Sequence, residues 1–144
     1  MLNEKLNILL VMPRFVRNLG EGYNFPLGIA YISSSLKKAG NNIFTLNLNH
    51  EQGKVQDILD KEIKEHNINI LMTGCLSFQY ISVKNIIESA KQIKPSITTI
   101  VGGGIITAEP EISMKALEFA DIGIIGEGEE TSCDLINAIA NNGF

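Results

Sequence analysis

Residues 6–12, Leu-Asn-Ile-Leu-Leu-Val-Met, form a short and nearly continuous apolar run that stops at Pro13. Such a run is typical of a β-strand buried on both faces, as in parallel sheets. A polar loop follows, and Pro26 then begins a segment whose apolar residues recur at helical spacing. Gly40 ends that segment as a helix-terminating glycine. The first forty residues therefore predict one strand followed by one helix.

The same unit recurs along the rest of the chain. Further strands are predicted at Ile43–Leu48, Ile68–Thr73, Ile97–Val101 and Ile122–Ile125. Helices are predicted around 55–65, 83–93, 110–117 and 135–139. Parallel strands need crossover helices, and right-handed crossovers place helices on both faces of the sheet. We expect an α/β fold with a doubly wound, parallel five-stranded sheet, flavodoxin-like and Rossmann-like, in strand order 2-1-3-4-5.

Composition limits the kind of protein. The 144 residues suit one domain, spanning 1–144, and the helix end near Gly143 suggests a domain excised from a longer protein. A net charge of −4 without basic runs argues against nucleic-acid binding. No apolar stretch approaches the roughly 20 residues that span a bilayer, and no signal peptide is evident. With two isolated cysteines in addition, we expect a cytoplasmic protein that binds neither nucleic acid nor membrane.

Four glycine-containing loops are expected at the carboxyl ends of the strands, where ligands bind in doubly wound sheets. They are 13–26, 74–79, 102–108 and 126–130. Glycine allows positive φ and close approach of the backbone to a ligand, although a tight strand-to-helix turn also explains Gly102-Gly103-Gly104.

Common cofactor and catalytic patterns are missing. The phosphate-loop pattern is absent, and Met12-Pro13-Arg14 stands where a dinucleotide fingerprint would begin. The carboxylates of a phospho-receiver domain are also absent. His50 and His66 are expected to be solvated, and Cys133 to pack inside the last helix.

Three motifs together resemble the cobalamin-binding domains that precede radical S-adenosylmethionine (SAM) catalytic domains. They are Pro26-Leu27-Gly28 with the following Tyr31 and Gly40, Val101 with Gly102-Gly103-Gly104, and Ala120-Asp121 with Gly126-Glu127-Gly128-Glu129-Glu130-Thr131. This resemblance covers nearly the whole chain in order.

The resemblance implies cobalamin (vitamin B12) as the cofactor, with its dimethylbenzimidazole tail in a slot beside the fourth strand. The implied cofactor-binding residues are Arg14, Pro26, Leu27, Gly28, Gly74, Cys75, Leu76, Ser77, Gly102, Gly103, Gly104, Gly126, Glu127 and Gly128. No histidine lies between Met12 and Pro26, so the cobalt is expected to lack a histidine axial ligand. Ile105 and Ile106 stand where members often carry a histidine.

The radical chemistry of such enzymes needs a Cys-x-x-x-Cys-x-x-Cys motif for an iron–sulfur cluster, which this chain does not contain. We therefore expect the cluster and SAM to belong to a downstream radical SAM domain, which would be this domain's partner. The chain alone is not expected to be an enzyme, whereas its parent is expected to be a methyltransferase or related catalyst. Two alternatives remain: a degenerate, cofactor-free docking or scaffold module, and a flavodoxin-like binder of another small ligand.

Overall fold

A computed structural model describes residues 5–142. Strands and helices alternate in the order β1 (Asn7–Met12), α1 (Leu27–Lys38), β2 (Asn42–Asn47), α2 (Val55–Glu65), β3 (Ile70–Gly74), α3 (Tyr80–Ile93), β4 (Thr98–Gly102), α4 (Gly104–Ala108), α5 (Pro110–Ala116), β5 (Ile122–Gly123) and α6 (Glu129–Asn142). Single 3-10 turns occupy Leu48–His50 and Ser77–Gln79. All strand pairs are parallel, and the order is β2-β1-β3-β4-β5. The predicted fold class and strand order are confirmed.

The strands alternate their side chains between two cores. On β1, Leu9 and Val11 pack with α2 and α3, whereas Ile8 and Leu10 pack on the side of α1 and α6. Both sets are at most 2% exposed. Burial on both faces explains why β1 carries an almost unbroken apolar run.

The largest differences from the sequence-based expectation lie after β4. The predicted loop 102–108 contains a short helix, α4, which begins directly after Gly103. The last strand covers only Ile122–Gly123 rather than reaching Ile125. The predicted helix end at Gly143 lies outside the described residues. None of the described helices is long and apolar enough to cross a bilayer.

A charged network fixes the short β5 beside β4. The Asp121 carboxylate accepts hydrogen bonds from Lys91 Nζ at 2.6 Å, from the Thr99 backbone N–H at 2.7 Å and from Thr99 Oγ1 at 3.0 Å. Partial burial raises the pKa of this carboxyl, but the hydrogen bonds from Lys91 and Thr99 outweigh that effect. The pKa of Asp121 therefore lies below its ordinary value.

We expect Asp121→Asn to lower the free energy of unfolding by about 1 kcal/mol at pH 7, since solvent partly screens the charge. A lowered folded-state pKa gives stability that is present above the unfolded-state pKa, about 3.9. That stability is lost as the pH falls through the folded-state value, so the difference between variant and wild type should shrink steadily below about pH 4. Urea unfolding at a series of pH values from 7 to 3 measures this difference.

Asp60→Asn is the matched control, because Asp60 makes only an exposed i,i+4 ion pair with Lys64 at 2.7 Å. Its effect should be much smaller at every pH. A pH-independent loss in Asp121→Asn would contradict the proposed role of the carboxylate.

Candidate functional site: an apolar slot at the carboxyl edge of the sheet

A cavity of about 670 Å³ opens at the carboxyl ends of the strands, on the side of the sheet that faces α1. Its floor is a row of side chains in register across three strands: Leu10 of β1 pairs with Met72 of β3, which pairs with Ile100 of β4. The next pair on the same face is Gly74 and Gly102, which carry no side chains. Two glycines above an apolar row thus open a slot that descends to the floor.

The strand ends that flank the slot approach each other closely. A Cβ atom on Gly74 would collide with the backbone carbonyl of Gly102, and one on Gly103 would lie 2.9 Å from the Cys75 carbonyl oxygen. Gly103 also has φ +84°, which L-residues rarely adopt. Across this junction the Ile105 N–H donates to the Cys75 carbonyl at 2.9 Å. Gly103 is therefore required by the backbone conformation and by the approach of Cys75.

The opposite wall comes from α1 and from the loop before α6. Gly28, Ile29 and Ile32 line the slot from α1, with Pro26 directly before it, and residues 126–129 line it from the loop and the first residue of α6. A Cβ atom on Gly128 would lie 3.0 Å from Ile32 Cδ1. The loop therefore packs directly on α1.

The loop between β1 and α1 is fastened from outside the slot by Asn49, which is 2% exposed. Asn49 Oδ1 accepts from the N–H groups of Phe15 and Val16, and Asn49 Nδ2 donates to the Pro13 carbonyl at 3.0 Å. Because Phe15 and Pro13 line the slot, Asn49 positions one of its walls without lining it.

Tyr23 extends this network to the mouth of the slot. Its hydroxyl accepts from Asn47 Nδ2 at 2.6 Å and lies 3.0 Å from His50 Nε2. Its ring packs beside Phe15, with centroids 5.9 Å apart. His50 thus has a partner at the site although it does not line the slot. His66 is half-buried, stacked on Phe44 with centroids 4.2 Å apart.

The described residues that line the slot include no lysine, arginine or histidine, and their charged members are Glu127 and Glu129. Both cysteines are free, and burial raises the pKa of Cys75 to about 12, so its thiol is neutral at physiological pH. No cluster of three or more histidine, cysteine or acidic side chains suited to a metal lies within residues 5–142.

Most of the site residues implied by the sequence resemblance come together here. Those that line the slot are Pro26, Gly28, Gly74, Cys75, Leu76, Gly102, Gly103, Gly104, Gly126, Glu127 and Gly128. Arg14, Leu27 and Ser77 do not. Arg14 instead donates from Nε to the Leu48 carbonyl and from an Nη to the Glu51 carbonyl, both at 3.0 Å. Leu27 and Ser77 are exposed.

The floor was not identified from the sequence. Leu10, Met72 and Ile100 lie inside predicted strands, and Met72 and Ile100 lie two residues before Gly74 and Gly102, on the same face of their strands. That spacing could have identified them. Phe15, Tyr23 and Gln79 belong to the segments 13–26 and 74–79 that the sequence places at the ligand edge, but no local pattern singles them out within those segments.

Exposed apolar side chains surround the mouth. Phe78 is 81% exposed, Leu76 58% and Ile125 59%, and Phe25 lies beside Pro26 with half its surface exposed. Several exposed large apolar side chains near one opening favour a binding or interaction site. The fold and slot therefore define a ligand-binding α/β domain.

The profile of the B12-binding-domain family matches residues 13–136, so the chain belongs to that family. It is also 29% identical over 143 residues to an uncharacterised methyltransferase of Pyrococcus horikoshii, with 94% of this chain aligned. The chain spans 30% of that relative's length. The resemblance to cobalamin-binding domains that the sequence motifs indicated is confirmed.

Two solved structures share the fold. The radical SAM methyltransferase TsrM from Kitasatospora setae, with cobalamin and a [4Fe-4S] cluster bound, has a TM-score of 0.78 at 18% identity, over 95% of this chain and 25% of its own. The cobalamin-dependent SAM radical enzyme OxsB, with aqua-cobalamin and SAM bound, has a TM-score of 0.73 at 18% identity, over 94% of this chain and 19% of its own.

Alanine substitutions at Gly102 and Gly103 should differ in how much they destabilise the fold. Gly103→Ala should lower the free energy of unfolding by at least about 2 kcal/mol, because it combines backbone strain with a contact against the Cys75 carbonyl. Gly102→Ala should change it by less than about 1 kcal/mol, since its Cβ meets only Ile124, at 3.9 Å. Urea unfolding of both variants tests this, and equal losses would contradict the assignment.

Removing the Asn49 side chain should loosen the loop that it holds. Asn49→Ala leaves the Phe15 and Val16 N–H groups without their acceptor, so we expect a loss of about 2 kcal/mol and faster amide hydrogen exchange in residues 13–26. Asn42→Ala, which removes an exposed amide bonded to Asn7 at 3.0 Å, is the control. Unchanged exchange at Phe15 and Val16 would contradict this role.

Proposed function

We propose that this chain is the cobalamin-binding module of a radical SAM enzyme, a methyltransferase or a related catalyst. The observation that carries the proposal is the slot above Leu10, Met72 and Ile100, opened by Gly74 and Gly102, in a member of the B12-binding-domain family. Bound cobalamin supplies a cobalt ion that can carry a methyl group. The chain's own part is to hold the nucleotide tail in the slot and the corrin ring over its mouth.

The chemistry of the lining suits cobalamin better than a phosphate-rich cofactor. Flavin and nicotinamide nucleotides carry charged phosphates that require N–H donors or cations. Here the charged residues of the slot are the acids Glu127 and Glu129. Cobalamin carries a single phosphodiester and a periphery of neutral carboxamides, for which the side chains of Asn24 and Gln79 and the backbone of the glycine loops offer partners.

We infer that the protein gives the cobalt no axial ligand. The described lining contains no histidine, and the Cys75 thiol, with its raised pKa, is protonated and a poor metal ligand. The nearest imidazole in the network, that of His50, has its Nε2 beside the Tyr23 hydroxyl. The cofactor would be held by shape, backbone contacts and the tail.

We also infer that a radical SAM domain, carrying the iron–sulfur cluster and SAM, covers the mouth of the slot in the parent protein. The exposed apolar side chains of Phe78, Leu76 and Ile125 support a partner at this surface. The relatives' greater lengths support additional domains. Catalysis would then belong to the assembled protein, and the two free thiols suit a cytoplasmic location.

A bulky residue at position 102 tests where the cofactor binds. Gly102→Leu should fill the slot above Ile100 and weaken hydroxocobalamin binding at least tenfold, measured by equilibrium dialysis and visible absorption. Gly22→Leu is the matched control, because a Cβ there meets nothing within 4 Å and Gly22 does not line the slot. Circular dichroism checks that both variants fold.

Equal binding by wild type and Gly102→Leu would place the cofactor elsewhere. No binding by the wild type at tens of micromolar would overturn the proposal, and a cofactor-free docking module would then be favoured.

The absence of an axial protein ligand has its own test. The electron paramagnetic resonance spectrum of bound cob(II)alamin should show no nitrogen superhyperfine splitting, because neither a histidine nor the nucleotide base would coordinate the cobalt. His50→Ala and Cys75→Ala should leave the spectrum unchanged. Splitting that His50→Ala removes would identify a histidine ligand, and splitting that persists would show a base still bound to cobalt.

A further inference from the structure

The floor of the slot offers nothing polar to a ligand. Leu10, Met72 and Ile100 are between 1% and 4% exposed and contribute only carbon and thioether surface. Ile124 beside them and Ile32 on the facing helix are also apolar. A row across three strands is about 10 Å wide, which matches the long axis of a flat bicyclic base.

The threonine of the lining is turned away from the floor row. Thr73 is in register with Val11 and Val101, whose side chains pack on the opposite face of the sheet, and its hydroxyl donates to the Val11 carbonyl at 2.9 Å. The carboxylates and carboxamides of the lining lie outside the floor strands, at residues 24 and 127 in loops, at residue 79 in the turn before α3 and at residue 129 at the start of α6. A base that reaches the floor with an amino group would leave that group without a partner, and burying an unpaired polar group is costly.

We propose that the slot selects among cobamides by their lower base, favouring a benzimidazole over a purine. This rests on the proposed function, because it assumes that the nucleotide tail occupies the slot. The methyl groups of dimethylbenzimidazole would gain from contact with Met72 and Ile100. Adenine would bring an exocyclic amine and additional ring nitrogens to a floor that cannot satisfy them. Met72 is the specificity-determining residue of this assignment, because it is the middle of the row.

The test compares three corrinoids on the wild-type chain by equilibrium dialysis: cobalamin, adenylcobamide with adenine as its lower base, and cobinamide, which has no nucleotide tail. We expect cobalamin to bind at least tenfold more tightly than either of the others. Affinities for cobalamin and adenylcobamide within threefold of each other would overturn the selectivity while leaving cobalamin binding intact. Cobinamide binding as tight as cobalamin would overturn the tail's place in the slot. Retention of no corrinoid would overturn the proposed function and this inference with it.

A substitution at the floor tests whether Met72 determines the selectivity for the lower base. Met72→Gln has nearly the same length and adds an amide, so it should shift the ratio of the two dissociation constants at least fivefold toward adenylcobamide. Met114→Gln is the matched control, because Met114 packs in the core on the other face of the sheet, and its ratio should not change. An unchanged ratio in folded Met72→Gln would overturn the role of Met72, and if that variant does not fold, the wild-type comparison decides alone.

Discussion

The close approach of the β3 and β4 ends is the constraint on which the slot depends. Gly74 meets the backbone of Gly102, and Gly103 meets that of Cys75, so neither Gly74 nor Gly103 has room for a side chain. The same junction bonds the Ile105 N–H to the Cys75 carbonyl and starts α4. These backbone contacts together close the strand ends, leave no room for side chains at Gly74 and Gly103, and coincide with the start of α4.

One face of the sheet carries a closed core, and the other face carries the ligand slot. On the face of α2 and α3, strand side chains such as Leu9, Leu71 and Val101 are fully buried in a continuous core. The other face is packed by α1 and α6 toward the amino end of the strands and opens toward their carboxyl ends. A closed core on one side holds the sheet while the other side leaves space for a ligand.

Residues that never line the slot nevertheless define it. Asn49 fixes the loop after β1 through hydrogen bonds to Pro13, Phe15 and Val16. Asn47 and His50 hold the Tyr23 hydroxyl at the mouth. The Arg14 side chain also points away from the slot and donates to backbone carbonyls of the segment that follows β2. Placing the polar network behind the loop leaves an apolar slot in front of it, which is why the arginine does not line the site.

The sequence by itself determined the fold class, the strand order and the loops that form the site. Continuous apolar runs, and apolar residues at helical spacing between them, are local properties of the sequence. The glycines that end β3 and β4 mark the carboxyl edge of the sheet. Only the tertiary structure decided that Met72 and Ile100 form a floor, that Arg14 turns away and that Tyr23 reaches the mouth. Those facts depend on register between distant strands and on loop hydrogen bonds, which no local pattern encodes.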